Sequence, residues 1–338
     1  MKIRTLICIA ILSCLRMTGR GQDPHFSQFF MAPHFINPVN VGTQAGDWSV
    51  LGNMRHQWGN AGTLFLTQSF AGEVKLIGRE DFENTLAAGI SLMNDQSLNG
   101  AFRSNYGSGS LAYHLQIDRH HRMALGFQGA YGHRRLDQTR LVFGEQFSGA
   151  GFDVALPTGE PGLQSMRPFL SVGTGLLYTF QAERINVDAG LAVYDVNRPQ
   201  QTFLGDPNQR LRPRTVGSLN LEHITLNRIL LNLHAIQHIQ TVQGYFAVGG
   251  SVGIPISPES LHRMFFAGAW FREGDAILPY AGLRINNVKV GLSYDITISK
   301  QNKGPVNPRS FELSMIYTRT RRPNTTMDCR VPRYYQIL

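Results

Sequence analysis

The sequence predicts an all-β chain, a transmembrane antiparallel β-barrel of about 14 strands, and three observations predict it. Apolar residues recur with period two over stretches of nine to twelve residues, the length a tilted strand needs to cross a bilayer. Strands of soluble proteins more often run to about five or six residues. The connections between these stretches alternate short and long, an asymmetry of bacterial outer-membrane barrels. An export signal precedes them, and no later stretch approaches the apolar length of a spanning helix. Of the 338 residues 16% are charged, against roughly 25% in soluble domains. A secreted β-sandwich would also alternate and be equally poor in charge, but it gives no reason for which turns are long.

Lys2 and Arg4 precede the apolar run from Leu6 to Leu15, and Gly19-Arg20-Gly21 puts small residues at −3 and −1 before Gln22. Residues 1–21 therefore read as a signal peptide. A lipobox at Ser13-Cys14 fits less well, because Cys14 sits inside the run and Arg16 follows. Removing the signal takes Lys2, Arg4, Arg16 and Arg20 and no acid, so the formal charge falls from +9 to +5. Such a charge gives no ground for a nucleic-acid partner. Cys8 and Cys14 leave as well, and Cys329 stands alone. One thiol makes neither an internal disulfide nor a cysteine zinc site.

Residues 22–46 form an N-terminal segment carrying Phe26, Phe29, Phe30, Phe35 and Ile36. It is too apolar to stand free in the periplasm. We expect it at the periplasmic end of the barrel, in its lumen, or against a partner subunit; in the lumen it would stop the barrel from being an open pore. Residues 47–318 make the barrel. Residues 319–338 are a basic periplasmic tail, with Cys329 a free thiol or the site of an intermolecular disulfide.

The strands are expected near 47–58, 62–75, 84–93, 105–117, 121–133, 167–180, 183–195, 214–224, 227–236, 244–254, 260–271, 276–285, 286–297 and 309–318. In the thirteenth, Val288, Val290, Leu292, Tyr294 and Ile296 alternate with Lys289, Gly291, Ser293, Asp295 and Thr297. With the N-terminus in the periplasm, the turns 118–120, 181–182, 225–226, 255–259 and Asn286-Asn287 are periplasmic and short. Residues 76–83 are the one periplasmic connection that is not tight. The outer connections 94–104, 134–166, 196–213 and 298–308 are long.

No catalytic, cofactor or metal site is expected. His234 and His238 straddle the end of a predicted strand, and as i and i+4 on a strand they stand about 13 Å apart, too far for one ion. His120-His121 lies beside Arg119 and Arg122. All four read as solvated or interfacial histidines. No Gly-x-Ser-x-Gly elbow, phosphate loop or Rossmann glycine pattern occurs. Arg284 falls opposite Lys289 across the Asn286-Asn287 turn with both on the lumen face. They are either hydrated side chains at the periplasmic mouth or a cationic rim for an acidic partner segment. Trp270, Arg272 and Asp275 fall at an outer turn, Trp270 as a membrane-interface aromatic and Arg272 pairing with Asp275. Direct contact with cargo is the other reading of that turn. Asp295 has lumen parity and is expected to serve as a structural hydrogen-bonding group.

Several motifs resemble one known family. The chain reads Gln22-Asp23-Pro24-His25-Phe26-Ser27-Gln28-Phe29-Phe30, then Phe35-Ile36-Asn37-Pro38, and later Arg55-His56-Gln57-Trp58. Gly144-Glu145-Gln146-Phe147 stands in the long loop. Near the end come Gly268-Ala269-Trp270-Phe271-Arg272-Glu273-Gly274-Asp275, Gly291-Leu292-Ser293-Tyr294-Asp295, and Ser310-Phe311-Glu312-Leu313-Ser314. In this order they resemble the PorP/SprF family of Bacteroidota outer-membrane proteins, from Gln22 to about Arg333. The tail departs from the family's compact Cys-Pro-Arg-Phe-like ending, reading Cys329-Arg330-Val331-Pro332-Arg333. The loop 196–213 lacks the expected early histidine.

The resemblance implies an outer-membrane component of type IX secretion or of gliding motility. Its partners would be a secreted cargo protein, such as a large adhesin engaged through its C-terminal domain, and in some members a periplasmic peptidoglycan-binding lipoprotein. Outer-membrane lipid would surround it. A passive porin is the alternative function.

Overall fold

The computed structural model describes residues 26–58, 65–78, 84–148, 151–159, 166–202, 206, 208–241, 243–257, 260–299 and 309–319. Among them no helix is long and apolar enough to cross a membrane; the crossing elements are strands. They are β1 (Trp48–Gln57), β2 (Phe65–Ile77), β3 (Thr85–Ser97), β4 (Phe102–Gln116), β5 (His121–Leu136), β6 (Phe169–Gln181) and β7 (Ile185–Tyr194). After these come β8 (Arg214–Ile224), β9 (Leu230–Gln240), β10 (Gln243–Ser257), β11 (Ser260–Arg272), β12 (Ala276–Ile285), β13 (Val288–Thr297) and β14 (Arg309–Arg319). Each pairs antiparallel with its neighbours in sequence, and β14 returns to β1 to close the barrel. The closing register sets Trp48 against Arg319 and Arg55 against Glu312.

Alternation explains why these residues close a barrel. On β13, Leu292, Tyr294 and Ile296 face out and Ser293, Asp295 and Thr297 face in. Outward residues on neighbouring strands include Leu111, Phe127, Leu176, Leu191, Leu233, Phe265 and Leu313, all exposed. A soluble monomer rarely leaves an apolar patch beyond a few hundred Å². An apolar belt that runs round a closed barrel is a lipid-facing surface.

The connections keep the expected polarity with one correction. On the outer side 137–168 and 195–213 are long. The connection expected over 94–104 is only the four residues 98–101. Its polar flanks read as loop but continue the ladder: Asn94 pairs with Asn105, whose side-chain oxygen accepts from the Asn94 amide at 2.7 Å. Asp95 accepts from the Thr67 hydroxyl at 2.6 Å. On the periplasmic side Asn286-Asn287 is a two-residue turn, with Arg284 and Lys289 paired across it. In the turn before β5, Asp118 accepts from the backbone N–H groups of His120 and His121 at 2.7 and 2.8 Å. Those donors hold its carboxyl below the usual carboxylate range.

The N-terminal segment runs down the lumen. Ser27 and Gln28 sit beside the outer ends of β13 and β14, bonded to Asp295 and Glu312. Three 3-10 turns follow, Phe29–Met31, Pro33–Phe35 and Pro38–Asn40. Proline opens the second and third, where its fixed φ suits the turn and its missing N–H costs nothing. Val39 and Val41 then pack on Ala87, Ala112, Ala124 and Leu177, at the periplasmic ends of β3 to β6. At the bottom the Asp47 N–H donates to the Arg319 carbonyl at 3.0 Å, where β1 begins. Of the three places expected for this segment it takes the lumen, and it spans the barrel from its outer to its periplasmic end.

Candidate functional site

Where the plug meets the outer strand ends, two arginines and three carboxylates form a cluster in the lumen. Asp295 is the centre. Its Oδ2 accepts from Arg55 Nη2 at 2.9 Å and from Arg272 Nη2 at 2.8 Å. The Ser27 hydroxyl reaches both Asp295 oxygens at 2.9 Å and accepts from Arg272 Nη1 at 3.2 Å. Glu312 takes the backbone N–H of Ser27 at 2.6 Å and of Gln28 at 3.0 Å, while Arg55 Nε lies 3.9 Å from it. The Gln28 amide donates to Ser293 Oγ at 3.1 Å and to the Glu312 carbonyl at 2.8 Å. Arg272 Nε also pairs with Asp275 in the outer turn at 2.6 Å, as the sequence led us to expect.

Two arginines therefore face Asp295 and Glu312, with Asp275 at the edge. Buried ions are tolerable when paired and hydrogen-bonded. The two plug N–H groups, which no helix or sheet satisfies, find a carboxylate instead. This cluster is a latch. Asp295 stands at its centre as a hydrogen-bond acceptor.

A second fastening is aromatic. Phe30 of the plug stacks on Trp270 with ring centres 4.3 Å apart and on His234 at 5.1 Å. Tyr280 meets it edge-on at 5.2 Å. This corrects two expectations. Trp270 is not a membrane-interface aromatic: it turns inward and is 2% exposed, and its neighbour Phe271 is the outward ring. His234 is not solvated but 1% exposed under the plug. His238 lies on the same face of the same strand, stacked on Tyr245 at 4.5 Å, because β9 runs on to Gln240. Among the described residues no group of three or more His, Cys, Asp or Glu is placed to hold a metal ion.

Asn37 and Pro38 make a third fastening. The Asn37 amide donates to the Leu176 carbonyl at 3.1 Å, and its oxygen caps the last 3-10 turn through the Val39 N–H at 3.1 Å. It fits only because the wall residue beside it is Gly175, where a Cβ would overlap the Asn37 side chain. Gly126 makes room for Val39 in the same way, its Cβ position lying 2.6 Å from the Val39 backbone.

Cavities remain on either side of the plug along the wall of β3 to β9. The outer one is lined by Phe26, Arg134, Tyr194, Asp195 and Arg214 among others. The inner one is lined by His114, Arg122, Asp188 and Glu222 among others. Phe29 and Ile36 border both.

A model of the family described as type IX secretion system membrane protein PorP/SprF matches residues 18–317. The chain belongs to the PorP/SprF family. No curated protein matches the sequence. Among solved structures the PorP/SprF chain is similar to the toluene transporter TodX of P. putida, at 9% identity over 84% of this chain and 94% of that one, TM-score 0.47. A TodX deltaS2S3 mutant, a monoaromatic hydrocarbon channel, matches at 9% identity over 84% and 92%, TM-score 0.48. The translocator domain of the autotransporter NalP from Neisseria meningitidis matches at 11% over 86% and 95%, TM-score 0.39. These likenesses concern the barrel alone.

Of the PorP/SprF motif residues, the structure brings together Ser27, Gln28, Arg55, Arg272, Asp275, Ser293, Asp295 and Glu312, with Trp270 beside them. Phe26 packs on Phe35 at the outer cavity, ring centres 5.8 Å apart. Tyr294 and Phe311 pair on the lipid side. Gln57 ends β1 opposite Ser310, and Trp58 lies against Phe65 at 5.0 Å. In the long loop Gln146 of the Gly144-Glu145-Gln146-Phe147 motif is buried; its side chain accepts from the Phe143 N–H at 3.1 Å. Lys289 is 6% exposed, its Nζ 5.0 Å from the centre of the Phe266 ring, so of the expected cationic pair only Arg284 keeps part of its side chain at the surface. Asp23, Pro24 and Cys329 lie outside the described residues.

Sequence reasoning missed one buried pair, His34 with Glu73 at 2.8 Å. Glu73 also accepts from the Gly42 N–H at 2.9 Å. The signal was available: Glu73 shares the inward parity of Ala71 and Lys75.

Proposed function

We propose that this chain is a non-enzymatic outer-membrane component of the type IX secretion and gliding-motility machinery. It assists the export or surface anchoring of one secreted partner, such as a large adhesin bearing a dedicated C-terminal domain. The observation that carries this reading is the latched plug. A barrel whose lumen is filled by its own chain, fixed at both ends and in the middle, suits a rigid holder and not a diffusion pore. The outer loops 137–168 and 195–213 would meet the cargo, while the periplasmic turns and tail would face a peptidoglycan-binding lipoprotein.

Processing before Gln22 belongs to the same reading. A leader still held in the inner membrane could not extend from a segment whose Ser27 sits at the outer end of the lumen.

The test is a mild-detergent pull-down of the tagged protein from outer membranes, with mass spectrometry of what accompanies it. One large surface protein together with a peptidoglycan-binding lipoprotein is the expected catch. The protein recovered alone, and conducting steadily in a planar bilayer, would replace the anchoring role with that of a passive porin.

A further inference from the structure

The lipid-facing side of β3, β4 and β5 changes character along its length. In its middle the outward residues are apolar, with Ile90 and Leu92 on β3 and Phe127 and Tyr131 on β5, all exposed. Towards the outer end they become amides. Gln96 Nε2 donates to Asn94 Oδ1 at 2.8 Å, and Asn94 Nδ2 donates to Asn105 Oδ1 of β4 at 2.7 Å. Beyond the amides stand arginines. Arg103 of β4 and Arg135 of β5 are both exposed and lie directly opposite each other in the ladder.

Like charges directly opposite repel unless water or an anion comes between them. A third cation joins this pair. Arg140, in the loop after β5, and Arg103 both reach over Gly100, where a Cβ would lie 3.2 Å from Arg140 Nη1 and 3.8 Å from Arg103 Nη2. Arg103 Nε donates to the Gly100 carbonyl at 3.2 Å, and Arg140 Nη1 to the Asn99 carbonyl at 3.3 Å. Asp137, held by Arg140 at 3.2 Å, is the one acid in these contacts, so three guanidinium groups share one carboxylate. Below them the surface is furrowed. Gly107 and Gly109 on β4 and Gly129 on β5 hold outward positions; Gly109 lies directly opposite Gly129, and at both a Cβ would meet nothing within 4 Å. Ile90 and Leu92 border this furrow on one side, Tyr131 and Val172 on the other.

We propose that this face binds a phosphorylated lipid of the outer leaflet, with its phosphate on Arg103, Arg135 and Arg140 and an acyl chain along the furrow. Guanidinium groups take phosphate oxygens in paired hydrogen bonds, and a phosphate between Arg103 and Arg135 replaces their repulsion with two attractions. An arginine on the lipid face costs little at the edge of the bilayer, so the three can stand at headgroup level. The geometry selects a lipid over a free anion. The arginines share the outward face of the apolar belt, and Gly107 and Gly109 follow Arg103 by four and six residues on β4, about 13 and 20 Å along the strand. One molecule with a phosphate at its head and hydrocarbon below it meets both features at once.

The test compares the full barrel with two double variants, Arg103→Gln with Arg135→Gln, and Gly109→Leu with Gly129→Leu. Arg184→Gln, exposed in a periplasmic turn, is the control. Heat-modifiable gel mobility selects folded barrels of each. Delipidated in detergent, they are incubated with lipid A, with dephosphorylated lipid A, or with lipid A and an excess of inorganic phosphate, and read by native mass spectrometry. The expected result is one lipid A on the parent and the control and severalfold lower occupancy on either double variant. Dephosphorylated lipid A should occupy the parent severalfold less, and inorganic phosphate should not displace lipid A. Equal occupancy of the parent and the arginine variant, or of the parent by both lipid forms, would overturn the phosphate contact. Equal occupancy of the parent and the glycine variant would overturn the furrow, and displacement by inorganic phosphate would replace the lipid with a free anion. None of these readouts depends on the secretion partner, so the inference and the proposed function fail separately.

Discussion

Asp295 is the residue on which the plug most depends. It accepts from Arg55, Arg272 and Ser27 at once; without it Arg272 keeps Asp275, while Glu312, 3.9 Å from Arg55, is already committed to the backbone of Ser27 and Gln28. Removing one partner of a buried ion pair costs about 3–5 kcal/mol, since the other charge is left unmatched. We therefore expect Asp295→Asn to lower the urea midpoint of the folded barrel by an amount in that range. Ser27→Ala loses only hydroxyl bonds to charged groups, about 1.5–3 kcal/mol, and should fall between this variant and the parent. Equal midpoints for Asp295→Asn and the parent would mean that the arginines find other partners and that the latch is not what fixes the plug. The converse argument also applies at this scale. A buried ion cluster is weak evidence for stability as such, so its role here is placement: it fixes which atoms of the plug stand at the outer end.

At the scale of elements, the strands were legible and the plug's path was not. Period two is imposed by lipid on one side and a packed lumen on the other, so Leu292, Tyr294 and Ile296 announce β13 without any knowledge of its neighbours. The polar rims misled. Asn94 and Asn105 rise above the apolar belt, where both strand faces may be polar, and their ladder reads as loop. Trp270 was misread for a related reason: an aromatic near a strand end suits a membrane interface, and only the alternation with outward Phe271 places it in the lumen. The latch residues stood out as motifs, but their meeting depends on a plug more than 260 residues away in sequence from Asp295, and no local pattern carries that. The plug itself leads to a prediction. Phe29 and Ile36 border both cavities, so they are the thin part of the partition; Phe29 also meets Phe30 and His234 edge-on, at 5.7 and 6.3 Å. Phe29→Ala with Ile36→Ala should join the cavities and give single-channel currents in a planar bilayer, where the parent protein stays silent. The heat-modifiable mobility should persist, because Asp295, Glu312 and Trp270 still fasten the segment. Silence from the double variant would place the barrier elsewhere along the plug.

For the whole molecule, two solvents decide the architecture. The lumen takes the polar and charged residues and satisfies them with the plug; the outside is an apolar belt that only lipid covers. Because the plug runs directly into β1, which is hydrogen-bonded to β14 and β2, barrel closure and plug docking belong to one chain event and should be lost together. The belt gives the sharpest check that this surface meets lipid. Leu292 lies in the middle of β13, exposed and flanked by Leu313 on β14 and Ala281 on β12. An arginine at the bilayer midplane of a barrel costs about 2–4 kcal/mol, falling towards zero at the interfaces. Leu292→Arg should therefore destabilise the barrel folded in vesicles by that order, read as a shift in its urea unfolding curve. Val154→Arg, in the outer loop and 72% exposed, should leave the curve in place. In a soluble sandwich both positions would be hydrated and the two variants would behave alike. Equal, small shifts would thus remove the membrane belt, whereas a gap of this size between the two sites follows only if β13 stands in hydrocarbon.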